Sequence, residues 1–382
     1  MAMILSEDQQ LLRESASGFF QANAPISVMR RLRDEESELG YDEVVWQRMI
    51  ELGWPGMAIS EKYGGFEFGF TGLGLVLEEA GRTLASSPLI ASVLLGASLL
   101  SEAGNEEQKS ELLPRIAAGK VRLAVGVDEG PHHNPSHIAC TAVKDGSYYF
   151  LSGAKNFVLD GHIADKLIIA ARTSGESQSE SGISLFLLDA DIQGLQIHRT
   201  IMVDSRNAAN LVLKKVRVPE EALLGREDYG FTALNSALDI ARIGVASEML
   251  GSLQETFERI VQYLKQREQF SVQIGAFQAL QHRAAEMYSE IELCKSAVLG
   301  ALQCLDDPSA SLTHRASMAS LVKAKLSEVS ERVSNEGIQM HGGIGMTDEF
   351  DIGFFLKRAR VAQQFLGDAS FHYDRYATLN NF

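Results

Sequence analysis

The sequence predicts an α+β multidomain protein with an N-terminal helical domain, a central antiparallel β-domain and a C-terminal four-helix bundle. Apolar residues recur at helical spacing near both ends of the chain. Between them, short runs of β-branched and aromatic residues alternate with turn signals. The changes of pattern predict three domains, at residues 1–120, 121–228 and 229–382.

The N-terminal segment opens with a helix signal. Ser6 and Gln9 have the spacing of a capping box, and apolar residues then follow near helical spacing. After a turn at residues 60–65, a further helix is predicted from Gly72 to Arg82.

The middle segment has the composition of strands. Lys144-Asp145-Gly146-Ser147 lies between two such runs and predicts a hairpin, because Asp-Gly tolerates positive φ. Further strands are predicted at residues 167–171, 183–187 and 211–213, with a polar loop at residues 174–181. No periodic segment of helix length intervenes, so an antiparallel sheet is favoured over a parallel α/β sheet.

Three long segments after residue 231 carry narrow apolar stripes. The stripes run from Ile243 to Leu264, from Phe277 to Ala301 and from Val322 to Val333. Helices of this length with narrow stripes are typical of a bundle with near-antiparallel neighbours.

Composition limits the partners of the protein. A net charge of -15 argues against binding to nucleic acid or to an anionic membrane surface. The start of the chain lacks a signal-peptide pattern, and no run of about 18 apolar residues occurs, so we expect a soluble protein. Three cysteines without metal-ligand spacing favour a reducing, cytoplasmic location, and no metal site is expected. Surface or loop positions are expected for four histidines: His132, His133, His341 and His372.

Several motifs together resemble the acyl-CoA dehydrogenase family over essentially the whole chain. The segment Gln339-Met340-His341-Gly342-Gly343-Ile344-Gly345 resembles the flavin-binding loop of that family. Arg267-Glu268-Gln269-Phe270 and the residues that follow resemble the segment that holds the pyrophosphate and adenosine end of FAD. Residues 59–65, 77–81 and 216–219 resemble its N-terminal signatures and the exit from its β-domain.

The resemblance implies an FAD that lies across a subunit boundary, with its ring system in the neighbouring subunit. Arginine can pair with diphosphate oxygens, and glycines let backbone N–H groups approach a phosphate or ribose. Alternatively, the glycines only end a helix. The cofactor-binding residues that the resemblance implies are Arg267, Phe270, Ile274, Phe277, Gln278, Gln339, Met340, Gly342 and Gly343, with Phe157 on the ring side.

The resemblance also shows what this chain lacks. Family members remove a proton α to a thioester carbonyl, and this step needs a carboxylate base. Leu366 occupies the usual base position, and Ala241 occupies the alternative one, directly before Arg242. By resemblance, Arg242 and Asp239 lie beside the substrate pocket. Asp368 and Asp239 are candidates for a displaced base. The competing interpretations are a helix N-cap for Asp368 and an ion pair with Arg242 for Asp239.

The expected flavin-ring contacts are also altered. Residues 126–133 replace the usual Thr-Glu-Pro and glycine-serine turn, and Phe157-Val158-Leu159 replaces Trp-x-Thr. The hydroxyls that would bond the flavin edge are therefore absent, and each unsatisfied group costs about 1–3 kcal/mol.

The sequence thus supports the hypothesis of an FAD-dependent acyl-CoA dehydrogenase in which this chain is the base-less subunit of a heteromer. By resemblance, such heteromers act on bulky CoA thioesters in fatty acid or steroid side-chain degradation. They pair with a paralogous subunit, as dimer or tetramer, and an electron-transferring flavoprotein is the implied electron acceptor. The alternatives are a self-sufficient homo-oligomer with a displaced base, a relative with non-dehydrogenating chemistry on acyl-CoA, and a non-catalytic CoA-binding protein without flavin.

Overall fold

The computed structural model describes residues 4–382 in two compact units. The first contains the described residues up to Glu35, with Phe70–Ser86 and Arg242–Phe382. The second contains Glu36–Gly69 and Ser87–Ala241. The start of the chain was expected to lack a signal peptide, and its first three residues lie outside the described residues. The domain boundaries after residues 120 and 228 stay predictions.

Three N-terminal helices belong to the first unit. They are α1 (Glu7–Asn23), α2 (Ile26–Asp34) and α4 (Phe70–Arg82). The capping box is confirmed, since the Ser6 side chain accepts from Gln9 N and the Gln9 side chain accepts from Ser6 N. The Asp306 carboxylate caps α4 by accepting from the backbone N–H groups of Phe70 and Thr71, at 2.6 and 2.8 Å.

The C-terminal helical bundle of the first unit is confirmed. Its long helices are α7 (Gly230–Gln266, whose first residues belong to the second unit), α8 (Gln278–Asp306) and α9 (Leu312–His341). Two shorter helices, α10 (Ile352–Gln364) and α11 (Ala369–Leu379), pack along α9. Helix α9 buries an almost continuous set of side chains because it has neighbours on several sides.

The second unit combines helices with one eight-stranded sheet. Its helices are α3 (Glu43–Glu51), a π-helical stretch at Leu89–Ala97, α5 (Ser98–Ala103) and α6 (Glu106–Ala117). Its strands are β1 (Leu123–Gly126), β2 (Thr141–Asp145), β3 (Tyr148–Leu159), β4 (Lys166–Arg172), β5 (Ile183–Asp189), β6 (Leu195–Ile201), β7 (Asn207–Pro219) and β8 (Leu223–Leu224).

The sheet is mixed rather than purely antiparallel. The predicted hairpin is confirmed, with Gly146 at φ +61° between β2 and β3. Strand β4, however, pairs in parallel with β1 over Leu123–Gly126, and it also makes a single parallel pair with β2. The expectation of an antiparallel sheet was wrong at β4, which is buried along nearly all its length, as parallel strands are.

Two further observations concern the described part of the chain. Among residues 4–382, no helix is both long and apolar enough to cross a membrane. Across that same range, no group of three or more His, Cys, Asp or Glu side chains is arranged to hold a metal ion.

Candidate functional site

The glycine turn at the end of α9 presents accessible backbone. Gly342 has φ +64° and, like Gly343, is exposed. A Cβ added to either glycine would meet nothing within 4 Å. The turn therefore has room for a ligand to approach the main chain, as a dinucleotide requires. Gln339 is exposed beside it, whereas Met340 is buried and anchors the turn.

His341 fixes the base of this turn. Its ring is buried and stacks on Tyr263 at a centroid distance of 4.4 Å. Nδ1 lies 2.6 Å from the Gly337 carbonyl, so this nitrogen carries the hydrogen and donates it. Burial lowers the pKa of His341 and keeps the ring neutral. Its buried Nε2 has no partner among the described residues and can accept from a water or a cofactor hydroxyl.

A short hairpin between α7 and α8 carries the other predicted dinucleotide residues. The Arg267 carbonyl accepts from Ile274 N at 2.8 Å, and the rings of Phe270 and Phe277 meet edge to face at 6.1 Å. Phe270 is 86% exposed, and Arg267 and Gln278 are exposed as well. An exposed guanidinium with exposed aromatic surface fits the diphosphate and adenosine end of FAD.

Contacts within the first unit connect the hairpin with the glycine turn. Tyr263, which stacks on His341, lies on α7 one turn before Arg267. The residues predicted for the dinucleotide end thus lie on neighbouring parts of one unit. All of them except the buried Met340 and the half-buried Ile274 are exposed, as a cofactor contact requires.

The loop at the usual base position presents a buried leucine. Leu366 is 5% exposed and has φ +60°. Its carbonyl oxygen lies 3.2 Å from Arg242 Nε and 3.1 Å from His372 Nε2. Ala241, at the alternative base position in the second unit, is fully buried. Both positions therefore offer hydrocarbon rather than a proton acceptor.

A buried lysine supports the same loop. Lys323 on α9 is fully buried, and its Nζ donates to the carbonyls of Gln363 and Gly367 at 3.1 and 2.8 Å. Burial, and after it the charge of Arg242, lower its pKa to about 7. Burial likewise lowers the pKa of His372, which is neutral at physiological pH. The loop backbone is thus held by three basic side chains.

Of the two candidates for a displaced base, Asp368 has a structural role and Asp239 is buried. Asp368 accepts from Phe371 N at 2.8 Å and is the N-cap of α11, as the competing interpretation predicts. Asp239 is buried on the part of α7 that belongs to the second unit.

The loop at the expected flavin-ring position satisfies its own polar groups. Asp128 accepts from His133 Nδ1 at 2.8 Å and from Asn134 N at 3.1 Å. Glu129 accepts from the buried Lys155 ammonium at 2.6 Å and from the backbone N–H groups of residues 139 and 140. Both carboxylates are therefore already bonded within the chain. A carboxylate only accepts hydrogen bonds, so neither replaces the missing hydroxyl donors.

Phe157 lies at a bulge in β3. Its φ is +53°, its side chain is 55% exposed, and its N–H donates to Asn210 Oδ1 at 3.3 Å. The bulge falls where the register of β3 against β7 shifts, between Lys155 and Val158. A β-bulge changes the direction of the side chains next to it, which accounts for the outward-facing phenyl ring of Phe157.

Sequence reasoning missed several of these residues. The expectation that His341 and His372 occupy surface or loop positions was wrong, because both are buried in helices. Lys323 and Lys155 went unnoticed because their partners are distant in sequence. A lysine directly after Val322, inside an apolar helical stripe, was the available signal for Lys323.

Comparisons with known proteins agree with this geometry. Three family models match the chain: the acyl-CoA dehydrogenase N-terminal domain at residues 6–120, the middle domain at 131–216 and the C-terminal domain at 228–377. The chain belongs to the acyl-CoA dehydrogenase family. Its members are oxidoreductases that act on CH–CH bonds, and the cofactor is FAD.

Individual relatives cover nearly the full chain. Probable acyl-CoA dehydrogenase YngJ of Bacillus subtilis is 31% identical, with 94% of each protein covered. The caffeyl-CoA reductase-Etf complex subunit CarC of Acetobacterium woodii is 29% identical, again over 94% of each. A solved variant of the Tcur3481-Tcur3483 steroid ACAD is 31% identical, covers 98% of both chains and has a TM-score of 0.87.

Proposed function

We propose that this chain is the base-less subunit of a heteromeric acyl-CoA dehydrogenase that desaturates a CoA thioester between its α and β carbons. One observation carries the proposal. The side chains at both base positions, Leu366 and Ala241, are buried hydrocarbon, whereas most of the dinucleotide residues are exposed to solvent. Because hydrocarbon cannot take the α proton, we assign the carboxylate base to a paralogous subunit.

The chain's own residues serve one end of the cofactor in this proposal. Arg267 pairs with the diphosphate, the backbone of Gly342 and Gly343 approaches the dinucleotide, and Phe270 and Phe277 offer flat apolar surface. FAD, when bound, accepts the hydride from the β carbon. Arg242 donates to the Leu366 carbonyl and Lys323 to the Gly367 carbonyl, and these hydrogen bonds keep Leu366 in place.

The loop around Asp128 and Glu129 forms its hydrogen bonds within this chain. This supports a flavin ring that is bound by the partner subunit. Its carboxylates bond to His133, Asn134 and Lys155, so they supply no donor to a flavin edge. The three predicted domains belong to the proposal, supported by family-model matches whose limits fall near residues 120 and 228.

Substrate class and electron acceptor follow from the relatives and remain part of the proposal. The steroid ACAD among them supports a bulky acyl group, such as a steroid side chain. The Etf complex subunit CarC supports an electron-transferring flavoprotein as redox partner. A cytoplasmic location is supported by three free, buried cysteines: Cys140, Cys294 and Cys304.

The test is flavin stoichiometry in the assembled enzyme. The chain is co-expressed with a paralogous subunit that carries the glutamate, and flavin is quantified by absorbance after denaturation. We expect about one FAD per two chains, in a symmetric assembly of unlike subunits. One tightly held FAD per copy of this chain alone would contradict the proposal.

Activity measurements separate the alternatives. Replacing the partner's glutamate by glutamine should lower activity at least about 100-fold, because the base is lost. Bleaching of flavin by acyl-CoA in this chain alone would instead indicate a self-sufficient homo-oligomer. A colourless protein in both preparations would indicate a CoA-binding protein without flavin.

A further inference from the structure

The segment that follows the glycine turn is held by two arginines of α2. Both terminal nitrogens of Arg33 bond the two carboxylate oxygens of Asp348, at 2.5 and 2.9 Å. Arg30 donates to the Asp348 main-chain carbonyl at 2.7 Å and to the Asp351 carboxylate at 2.8 Å. The arginines therefore hold the backbone and two side chains of residues 348–351, and we call this contact the α2 clamp.

Phe354 on α10 gives the α2 clamp a rigid support. The guanidinium groups of Arg30 and Arg33 lie 4.6 and 4.9 Å from the centre of its ring. The ring is buried in a cluster that includes Ile26 and Met29 of α2. Helix α2 is thus fixed to α10 by apolar contact, and the arginines are positioned before they meet the aspartates.

The other end of the segment is held by rings and a hydroxyl. His341 stacks on Tyr263 and lies 5.0 Å from the Phe350 ring. Thr347 Oγ1 donates to the Ile344 carbonyl at 2.8 Å. Residues 341–351 are therefore anchored on both sides of the two glycines. The Gly342 N–H bonds to the carbonyls of Ile338 and Gln339, and residues 342–346 form a short 3-10 helix. The flanking anchors therefore hold the two ends of the segment that carries both glycines.

The electrostatics of the α2 clamp agree with its geometry. A hydrogen bond to Arg33 holds the pKa of the Asp348 carboxyl below its usual range. An isolated surface ion pair contributes little, but a bidentate arginine pair within a network is the recognised exception.

We propose that Arg30 and Arg33 are positioning residues for the cofactor, because they clamp Asp348 and so hold Gly342 and Gly343 in the conformation that receives the dinucleotide. The proposal rests on the dinucleotide role proposed above for the glycines. It is independent of how the subunits divide the chemistry.

Two variants separate positioning from simple attraction of an anionic ligand. Arg33→Gln removes a positive charge and also opens the α2 clamp, so both explanations predict weaker FAD binding. Asp348→Asn removes a negative charge, so simple attraction predicts equal or tighter binding, whereas the α2 clamp predicts weaker binding. We expect each variant to raise the FAD dissociation constant about tenfold.

The measurement is flavin fluorescence during reconstitution of the purified assembly with FAD. Arg33→Asp combined with Asp348→Arg should recover most of the affinity, because the ion pair is restored in reverse. Arg360→Gln is the matched control, since Arg360 on α10 makes a partly exposed ion pair with Glu331 on α9, away from the α2 clamp. The FAD affinity of this variant should match that of the unmodified protein. Added salt should weaken FAD binding more in the unmodified protein than in Asp348→Asn.

Unchanged or tighter binding in Asp348→Asn would overturn the α2 clamp. Gly343→Val distinguishes this failure from failure of the proposed function. If Gly343→Val weakens FAD binding while the Arg33 and Asp348 variants bind normally, only the clamp is wrong. If Gly343→Val itself binds FAD normally, the dinucleotide role of the glycine turn is wrong and the clamp falls with it.

Discussion

The Nζ atom of Lys323 lies 2.8 Å from the carbonyl oxygen of Gly367, inside the folded protein. The same ammonium bonds the carbonyl of Gln363, in the last turn of α10. Gly367 directly precedes the N-cap of α11, so one side chain connects two helix ends across the loop that carries Leu366. Carbonyls at a helix C-terminus carry partial negative charge, which favours a cation there.

Removing the Lys323 charge should change how stability depends on pH. The pKa of Lys323 is lowered from 10.5 to about 7, mainly by burial and then by the charge of Arg242 on α7, with Asp368 acting in the opposite direction. His372 and Arg375 on α11 belong to the same cluster. Burial lowers the pKa of His372, and the charges of Arg242, Lys323 and Arg375 act in the same direction. Between about pH 7 and 10.5 the unfolded chain binds the proton more tightly, so the free energy of unfolding rises with pH.

Lys323→Met should flatten this rise, which reaches up to about 4 kcal/mol across the window. The measurement is urea unfolding of both proteins at several pH values. Lys325→Met is the control, because Lys325 lies on the same helix in a partly exposed pair with Glu290. Parallel pH curves for Lys323→Met and the unmodified protein would show that Lys323 keeps its ordinary pKa.

Leu366 combines burial with a left-handed backbone, and this combination predicts an unusual order of stability. Leu366→Ala loses buried hydrocarbon and should cost about 2–5 kcal/mol. Leu366→Gly loses slightly more apolar surface but relieves about 1 kcal/mol of strain at φ +60°. The glycine variant should therefore be at least as stable as the alanine variant.

The same substitutions at Leu326, buried within α9, provide the comparison. There the alanine variant should be more stable than the glycine variant by about 1 kcal/mol, because glycine is a poor helix former. Thermal unfolding of the four variants measures both orders. The same order at both positions would show that Leu366 is unstrained.

Local signals in the sequence were sufficient for many elements of the fold. Ser6 and Gln9 are three residues apart, and the Asp145-Gly146 turn joins adjacent strands. The N-cap at Asp368 also follows from neighbouring residues. Each depends on backbone chemistry within a few positions, so periodicity and turn preferences predict it.

Features that join distant segments were not predicted. β1 pairs with β4 in parallel, although a loop and the β2–β3 hairpin separate them in the chain. Lys323 bonds carbonyls 40 and 44 residues away. Alternation of apolar residues specifies the face that an element buries but not its partner, so neither contact can be inferred from spacing.

Substitutions of Asp368 test whether this chain supplies its own catalytic base. As the N-cap of α11, Asp368→Asn should keep stability within a few tenths of a kcal/mol, whereas Asp368→Ala should cost about 1 kcal/mol. Activity of the assembled enzyme should be nearly unchanged in Asp368→Asn, because asparagine caps equally well. A loss of about 100-fold or more would instead assign Asp368 the role of catalytic base.

The ion pair of Lys155 and Glu129 should be far more important for stability than a surface pair. Lys155 Nζ is fully buried, 2.6 Å from Glu129 Oε1.

Glu129→Gln leaves the Lys155 ammonium without its counter-charge and should cost about 3–5 kcal/mol. Adding Lys155→Met should recover part of this loss, because no buried charge is then left unpaired. Recovery should be incomplete, because glutamine has one acceptor oxygen and the N–H groups of residues 139 and 140 bond to different oxygens of Glu129. Glu220→Gln breaks an exposed pair with Lys144 and should cost less than about 1 kcal/mol. A double-mutant cycle by urea unfolding measures the coupling, and equal costs for the two glutamine variants would show that burial adds nothing to the Lys155 pair.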